Sequence, residues 1–481
     1  MMIKLNKKPK FIYLFAILAF SFVSMPSYLE AQAANQEKKQ IKYKKARSLT
    51  PKTAKKMIKV YEALEEVDES GEPAPDMEVV NSILADLKSN FEGMKSYDRS
   101  VVWNALGFVA YTNERYEEAI NAYNSLLAEP ESTIPNRVAA LYTLAQLTLM
   151  QGDFSGGIKI LLQYMDEIEV IPAQAWSLLA TAYYQVGDYR GTMSSIKTAI
   201  QLAEEEGYKP KENWYNLLAG SIGQLKDEIG EKKALLQQID IYEILVNLYP
   251  KKQYFLNLGG SYGTLGREKD YMITMKAAYL KDFLDKEAEY LTLAQLLLLN
   301  QNPYWAAEVI VSGQKKITTI TQTIVDKVTK EETKVEKTGP VVRNTEKNLK
   351  LLADSWRMAQ EIDKAIPVLE QAAKISKDGK AYVLLGNLYL SEDKIDLAVS
   401  AIKKGMKKGK ITKISAVHLT LGQAYFELQN FEDAKKQFRI AARDKDKKIK
   451  TQANNWIKYA ENEEIRVKNL ALRRDYIQSQ S

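Results

Sequence analysis

The sequence predicts an all-α fold, a solenoid in which antiparallel helix pairs stack into a superhelix. The first observation is an internal repeat. A leucine followed by a small residue recurs eight times between residues 100 and 442, and the small residue is here termed the anchor. Recurrence of this kind is typical of arrays of helical repeats. The dipeptides are Leu106-Gly107, Leu144-Ala145, Leu179-Ala180, Leu258-Gly259, Leu293-Ala294, Leu352-Ala353, Leu385-Gly386 and Leu421-Gly422, with a degenerate copy at Leu217-Leu218.

The second observation is the position of the large residues. A large side chain often follows three residues after the anchor, which places both on one face of a first helix. Another large residue follows sixteen after the anchor, on a second helix, and small anchors let the two helices approach closely. Short polar segments such as 112–115 and 429–430 separate the helices. The first set is Tyr183, Tyr262, Trp356, Tyr389 and Tyr425, and the second is Tyr123, Leu161, Ile196, Leu369 and Phe438.

The third observation is that no helix pair can bury its apolar surface alone, so neighbouring pairs must form the core together.

The ends of such a stack need capping helices. We expect N-terminal capping helices over 48–99, with Thr50 as N-cap and Pro51 as the first helical residue. The fourth repeat has an enlarged second helix within 230–250. The remaining regions are repeats 1–6 over 100–314, an insertion over 315–344, repeats 7–9 over 345–442, and a closing helix with a frayed tail over 443–481.

The insertion departs from helical periodicity. Within 315–344, Thr, Val and Ile alternate with charged residues, and β-branched residues at period two favour strands. The segment KEET (330–333) fits a turn, so we predict a protruding β-hairpin, with a disordered loop as the alternative. Insertions in solenoids map to loops on one face, and we expect this one to influence partner choice.

The first residues predict export. Four lysines precede an apolar run at 11–25, and Ala31-Gln32-Ala33 follows it. This order describes a secretory signal peptide over 1–33 cleaved near Ala33, followed by a basic linker over 34–47. The alternative is an uncleaved membrane anchor, which would need roughly 20 apolar residues. We therefore expect a protein of the bacterial periplasm whose mature chain has no membrane span.

Composition excludes several classes of chemistry. The chain has no cysteine and one histidine, His418, which removes thiol nucleophiles, disulfides and metal centres that need two imidazoles. His418 occupies the repeat position of Trp103 and Trp176, which favours a packing role. The formal charge is +7, and basic runs such as 34–60 fit solvated faces or contact with an acidic partner. We predict no enzyme activity, no cofactor, no metal and no nucleic acid partner.

The glycine-rich segment LGGSYGTLG (258–266) raises the question of a phosphate loop. Such a loop needs a preceding buried strand, and residues 246–257 do not supply one. We interpret Gly259 as an anchor, Tyr262 as its aromatic partner and Gly266 as part of the turn to the second helix.

The repeat resembles the tetratricopeptide repeat family, whose pattern is W-x2-L-G-x2-Y followed by A-x3-F. Trp103 with Leu106-Gly107, Trp176 with Leu179-Ala180, and the segment 418–442 carry the resemblance, and nine copies cover about 100–442. The resemblance implies that first helices line a concave groove for an extended peptide or a partner helix. Packing between neighbouring helices is the alternative for each residue. The matching positions are Asn104, Phe108, Tyr111, Tyr142, Gln146, Ser177, Tyr184, Tyr215, Gln295 and Gln423.

The whole layout also resembles exported tetratricopeptide proteins that accompany TonB–ExbB–ExbD energy-transduction systems in marine gammaproteobacteria. This resemblance implies a periplasmic adaptor that binds TonB, ExbD or a TonB-dependent receptor and supports uptake of iron chelates. An adaptor for envelope assembly, secretion or peptidoglycan enzymes is the alternative, and a carrier of an extracytoplasmic glycan is a third hypothesis. The stretches that carry the resemblance are 47–64, 101–120, 210–218, 249–266 and 291–307.

Overall fold

The computed structural model of the chain describes residues 47–68, 72–325 and 332–480. The predicted signal peptide and the predicted basic linker up to residue 46 lie outside the described residues. The chain divides into two compact units: unit 1 is Met1–Ile241 and unit 2 is Tyr242–Ser481.

Unit 1 consists of helices that pack in consecutive pairs, such as α3 with α4 and α7 with α8. A short 3-10 turn, Phe91–Gly93, joins the first two helices to the repeats. The helices are α1 Pro51–Leu64, α2 Met77–Ser89, α3 Ser96–Thr112, α4 Tyr116–Ala128, α5 Ile134–Met150, α6 Phe154–Asp166, α7 Ala173–Gln185, α8 Tyr189–Glu205, α9 Glu212–Gln224 and α10 Lys226–Ile229.

Unit 2 repeats the same pairing and contains the two strands. Helix α11, Glu231–Leu248, includes the point at which the chain divides. The other elements are α12 Lys252–Thr264, α13 Glu268–Leu280, α14 Glu287–Leu299, α15 Pro303–Lys315, β1 Ile317–Val325, β2 Glu332–Pro340, α16 Glu346–Met358, α17 Ile362–Ile375, α18 Lys380–Ser391, α19 Ile395–Lys408, α20 Ile414–Glu427, α21 Phe431–Ala441 and α22 Lys447–Gln480. The prediction of an all-α solenoid of helix pairs with a small hairpin is confirmed.

Each pair is held together at its anchor. A Cβ added to Gly422 in α20 would lie 2.5 Å from Cε1 of Phe438 in α21, and one added to Gly107 in α3 would lie 2.7 Å from Cε1 of Tyr123 in α4. Phe438 is completely buried. The small residue therefore admits the large one sixteen positions later, as the sequence predicts. The glycine-rich segment 258–266 forms the second half of α12 and the turn after it, and a Cβ added to Gly259 would lie 2.9 Å from Cδ2 of Tyr271 and 3.6 Å from Sδ of Met275.

The turns inside the helix pairs share a backbone conformation, with one exception. The residue seven positions after the anchor adopts a left-handed conformation in eight of the nine repeats, and the degenerate repeat is the exception. The amide that follows it bonds back to the first helix, as Asn430 N–H does to the carbonyl of Tyr425 at 2.9 Å. This bond closes the first helix and starts the second in a fixed direction. The left-handed residues are Glu114, Gly152, Gly187, Gly266, Gln301, Gln360, Asp393 and Gln429.

The fourth repeat differs because its anchor position holds Leu218. The short helix α10 and Gly230, with φ of 92°, replace the usual turn. The second helix, α11, is 18 residues long, in line with its predicted enlargement. The side chain of Gln238 donates a hydrogen bond to the carbonyl of Ala219 at 2.9 Å and connects this long helix to α9.

A buried carboxylate fixes the N-terminal helix. Asp98 of α3 is 1% exposed and accepts hydrogen bonds from the Thr50 amide at 3.1 Å and the Thr53 hydroxyl at 3.0 Å. Thr50 stands at the N-cap of α1 and Pro51 is the first residue of that helix. The carboxylate of another helix therefore accepts from the N-cap amide and from a hydroxyl of the first turn, and so ties α1 to α3.

The closing helix is longer than the sequence analysis predicts. Helix α22 extends to Gln480, whereas a frayed tail was expected at the end of 443–481. Glycine and proline are absent from Lys447–Gln480, and leucine, alanine and arginine favour a helix. Its first half packs on α21, where Trp456 stacks on Phe438 at 5.6 Å and the ammonium of Lys435 bonds to Glu464 at 2.7 Å.

Candidate interaction surface

The ten predicted site residues occupy three positions of the repeat. They stand three before the anchor, one after it and four after it. Since i, i+4 and i+7 share one side of a helix, these positions form one face of each first helix, here termed the first-helix face. The three sets are Asn104, Tyr142, Ser177 and Tyr215; then Phe108, Gln146, Gln295 and Gln423; then Tyr111 and Tyr184.

In unit 1 the first-helix face passes from one repeat to the next. Helix α3 contacts α5, and α7 contacts α9, so face residues of neighbouring repeats lie on adjacent helices. Phe108 is 48% exposed, which is unusual for a phenylalanine. Asn104, Gln146 and Ser177 are half-buried. An apolar ring beside polar side chains is an arrangement that suits a protein partner.

Two tyrosines of this face, Tyr111 and Tyr142, pack against aromatic residues of the second helices. The ring centroids of Tyr111 and Tyr116 are 6.3 Å apart, and those of Tyr142 and Tyr164 are 5.0 Å apart. Burial raises the pKa of both Tyr111 and Tyr142. A tyrosine hydroxyl is neutral at physiological pH even without this shift, and a neutral hydroxyl can both donate and accept hydrogen bonds.

Tyr184 has two packing partners. Its ring lies 5.4 Å from that of Tyr189 in an edge arrangement, and its hydroxyl oxygen is 3.6 Å from where a Cβ on Gly220 would stand. Gly220 belongs to the next first helix, α9. Tyr184 thus contributes to contact between neighbouring first helices, and its half-buried ring also borders the first-helix face.

Tyr215 is placed differently from the other predicted residues. It is 2% exposed, and its hydroxyl lies 3.2 Å from a carboxylate oxygen of Glu204. So little of the side chain is accessible that it cannot offer a partner a contact surface. The packing role that the sequence analysis left open is the one the structure supports for Tyr215.

Unit 2 carries a polar version of the same face. Gln295 is exposed and Gln423 is half-buried. The position after the anchor also holds Asn387, which is exposed, and Asp354, whose carboxylate lies 3.4 Å from a guanidinium nitrogen of Arg357. The sequence analysis missed Asp354 and Asn387, although their spacing from the anchors Ala353 and Gly386 identifies them.

Two tyrosines of unit 2 link successive repeats. The hydroxyl of Tyr262 donates to the Glu243 carboxylate, and that of Tyr389 to Glu370, each from a first helix to the preceding second helix. Burial, reinforced by the adjacent carboxylate, raises the pKa of each tyrosine to about 12. These tyrosines follow their anchors by three residues and face the stack, outside the first-helix face.

The single histidine, His418, bonds to a side chain of the second helix of its own pair. Nδ1 of His418 lies 2.8 Å from Oε1 of Gln437 on the neighbouring helix. Within the ranges that the structure describes, no group of three His, Cys, Asp or Glu side chains is arranged to hold a metal ion. Among the same residues, no helix combines the length and apolar character needed to cross a bilayer.

Comparisons with known proteins agree with this description. Residues 104–167 and residues 379–407 each match a family model described as a tetratricopeptide repeat. One match lies in unit 1 and the other in unit 2, so each unit contains a segment that matches a tetratricopeptide repeat model. Comparison with curated proteins gives no match.

Among solved structures, the chain is similar to the MamA protein and to a tetratricopeptide repeat protein from Parabacteroides merdae. The match to MamA has 20% identity and a TM-score of 0.31, and covers 38% of this chain and 92% of MamA. The match to the Parabacteroides merdae protein has 14% identity and a TM-score of 0.24, and covers 59% of this chain and 98% of the other.

Proposed function

We propose that this chain is a non-enzymatic scaffold that binds protein partners through the first-helix face. One observation carries the proposal: successive repeats present accessible side chains at the same positions of contacting first helices. Phe108 and Gln146 illustrate this on α3 and α5. A surface that repeats from helix to helix matches a partner that is itself extended or helical.

The two units offer this partner different chemistry. Unit 1 presents Phe108 together with tyrosines, such as Tyr111, that pack on rings of the second helices. This surface favours an apolar or aromatic side chain on the partner. Unit 2 presents Gln295, Asn387 and Gln423, whose amides can donate to and accept from a peptide backbone. A partner that contacts the unit 2 face would therefore be held mainly by its main chain.

The proposed cellular role is that of a periplasmic adaptor that supports TonB-dependent uptake of iron chelates. The order of basic, apolar and small residues in 1–33 supports export, and the resemblance to proteins that accompany TonB–ExbB–ExbD systems supports the partner. TonB, ExbD or a TonB-dependent receptor is the proposed partner.

In-cell crosslinking of the tagged chain, with mass spectrometry of the captured proteins, tests the role. We expect TonB, ExbD or a TonB-dependent receptor among them, and a selective growth defect on chelated iron after gene deletion. Capture of secretion or cell-wall proteins instead would replace the TonB role by that of an envelope adaptor.

A pair of variants with matched exposure tests the surface. Phe108→Ala removes a side chain that is 48% exposed on the first-helix face, and Leu162→Ala removes one that is 46% exposed on second helix α6. We expect Phe108→Ala to weaken the captured partner's affinity about fivefold or more, and Leu162→Ala to leave it unchanged. Equal effects of the two substitutions would refute the first-helix face as the binding surface.

A further inference from the structure

The hairpin of unit 2 is a ribbon of two strands joined to the helices at its base. Nine residue pairs connect β1 to β2, from Ile317 opposite Pro340 to Val325 opposite Glu332. The pairing places Glu332 and Thr333 in β2, so the turn predicted at KEET is wrong for these two residues, and Lys330 and Glu331 lie outside the described residues. At the base, the amide of Val341 donates to the carbonyl of Lys316 at 2.8 Å.

The register identifies which backbone groups point away from the ribbon. Bonded and non-bonded pairs alternate along an antiparallel ladder, and Lys316 with Val341 is a bonded pair. Ile317 with Pro340 is then a non-bonded pair, in agreement with the missing N–H of proline. The outward amides and carbonyls of β1 belong to Ile317, Thr319, Thr321, Thr323 and Val325, and those of β2 to Glu332, Lys334, Glu336, Thr338 and Pro340.

The two edges differ in how they are protected. The outward positions of β2 include three charged residues and a proline, the devices by which natural sheets prevent further strands from joining an edge. Strand β1, ITTITQTIV, contains no charge, no proline and no glycine, and its residues favour strands. The edge of β1 is therefore open to another strand, and the edge of β2 is not.

A third strand would stabilise the ribbon. The sheet in the described part of the chain has two strands, and a two-stranded ribbon is only marginally stable in water. Strand β1 complements itself: antiparallel pairing centred on Thr321 places Ile317 opposite Val325 and Thr319 opposite Thr323. Every outward group then meets an outward group of the copy, and no charges oppose each other.

Strand β2 cannot pair with its own copy in this way. Pairing centred on Glu336 would place two glutamates opposite each other, and Pro340 would supply no N–H to Glu332 of the copy. The self-complementary edge of β1 thus selects one occupant.

We propose that the edge of β1 is a dimerisation surface, at which two copies of this chain pair antiparallel about Thr321 and form a sheet in the order β2-β1-β1-β2. The assembly is closed, because a two-fold axis relates the copies and the protected β2 strands form both outer edges. This surface is separate from the first-helix face, so the test below is independent of the proposed partner.

A pair of proline variants at directly opposed residues tests the proposal. Thr319→Pro removes an outward N–H of β1, and Thr338→Pro removes an outward N–H of β2, while neither N–H belongs to the hairpin ladder. Light scattering on the chain from residue 34 onward, at micromolar concentration, measures the mass. We expect a dimer for the unchanged chain and Thr338→Pro, and a monomer for Thr319→Pro with an unchanged circular dichroism spectrum. A monomeric unchanged chain, or equal effects of the two prolines, would overturn the proposal.

Crosslinking gives a second, independent readout, because the chain contains no cysteine. Thr321→Cys and Glu336→Cys place single thiols at opposed positions on the two edges. With a short bismaleimide, we expect Thr321→Cys to yield covalent dimer and Glu336→Cys to remain monomeric on a denaturing gel. Failure of Thr321→Cys to crosslink, or preferential crosslinking of Glu336→Cys, would overturn the proposed register.

Discussion

The two units build the same helix pair with glycine in different places. Among the left-handed residues seven positions after an anchor, two of three in unit 1 are glycines, Gly152 and Gly187, whereas in unit 2 one of five is, Gly266. The anchors show the reverse: unit 1 has glycine in one repeat of four, Gly107, and unit 2 in three of five.

The difference shows that a repeat has two crowded points and that glycine relieves them separately. At the anchor it removes a Cβ from the path of a large side chain, and at the turn it permits a positive φ. Anchors that hold alanine, such as Ala145 and Ala180, have aliphatic partners sixteen residues later, Leu161 and Ile196. The glycine anchors Gly107 and Gly422 admit aromatic rings, Tyr123 and Phe438, whereas the glycine anchor Gly386 admits Ile402.

The largest expected effect comes from adding a methyl group at an anchor. Gly422→Ala places a Cβ 2.5 Å from the fully buried ring of Phe438. Because the ring is fully buried and stacks on Trp456, it must shift within the packed core, and we expect the free energy of unfolding to fall by about 2 to 3 kcal/mol. Thermal and urea unfolding monitored by circular dichroism measure this change.

Gly260→Ala is the control for that substitution. Gly260 lies in the interior of α12, and a Cβ there meets nothing within 4 Å. The same chemical change should therefore stabilise the protein by about 0.5 to 1 kcal/mol. If both substitutions stabilised it, close packing at Gly422 would not be what selects glycine.

A turn glycine should matter less than an anchor glycine. Gly187 has φ of 79°, and a Cβ added there meets nothing within 4 Å. The only cost of Gly187→Ala is therefore the strain of an alanine in a left-handed conformation. We expect a loss of about 1 kcal/mol in the free energy of unfolding. A loss as large as that of Gly422→Ala would contradict the separation of the two roles, as urea titration of both variants would reveal.

The tyrosine links give unit 2 a sensitivity to alkali. The pKa of Tyr389 rises from 10.0 to about 12 in the folded chain. Between these values the unfolded chain releases the proton first, so it binds fewer protons than the folded chain and stability falls as pH rises. Tyr389→Phe should cost about 1 kcal/mol at neutral pH and reduce the loss between pH 10 and 12.

Urea midpoints measured from pH 7 to 12 check this prediction. Tyr208→Phe serves as the control, because the Tyr208 side chain is 51% exposed. An alkaline profile of Tyr389→Phe identical to that of the unchanged chain would show that the link to Glu370 does not affect stability.

The smallest expected effect is a gain. Gln429 adopts a φ of 57°, which costs a residue with a side chain more than it costs glycine. We expect Gln429→Gly to stabilise unit 2 by about 0.5 kcal/mol. This is the net result of the backbone strain that glycine relieves and the greater conformational entropy that glycine gives the unfolded chain. Hydrogen exchange of α20 and α21 would detect it, and faster exchange in the variant would contradict it.

The spacing of anchors and large residues was sufficient to predict the helix pairs, and alternating β-branched residues predicted the hairpin. Sequence also located Gly266 in a turn. It did not identify Glu114, Gln301 or Gln429 as left-handed residues, because these types carry no local preference for that conformation. Tertiary packing imposes it, since the second helix must return along the first.

The site was only partly predictable for a related reason. The repeat position placed Phe108 and Tyr215 on equivalent faces of their helices, yet one is 48% exposed and the other 2%. Exposure depends on what neighbouring helices cover, and that is not encoded at the residue itself. Asp98 is a similar case, because its carboxylate meets the donors of Thr50 and Thr53 only after α1 docks on α3.

By itself, the sequence determined the repeat, the pairing of its helices and the strand-forming insertion, because these depend on spacing and on residue type within one segment. Only the tertiary structure decided which face residues are accessible, which turns are left-handed and which carboxylates join successive repeats. Those features depend on contacts between segments far apart in sequence, such as Tyr389 with Glu370 or Thr53 with Asp98, and such contacts exist only once the helices are stacked.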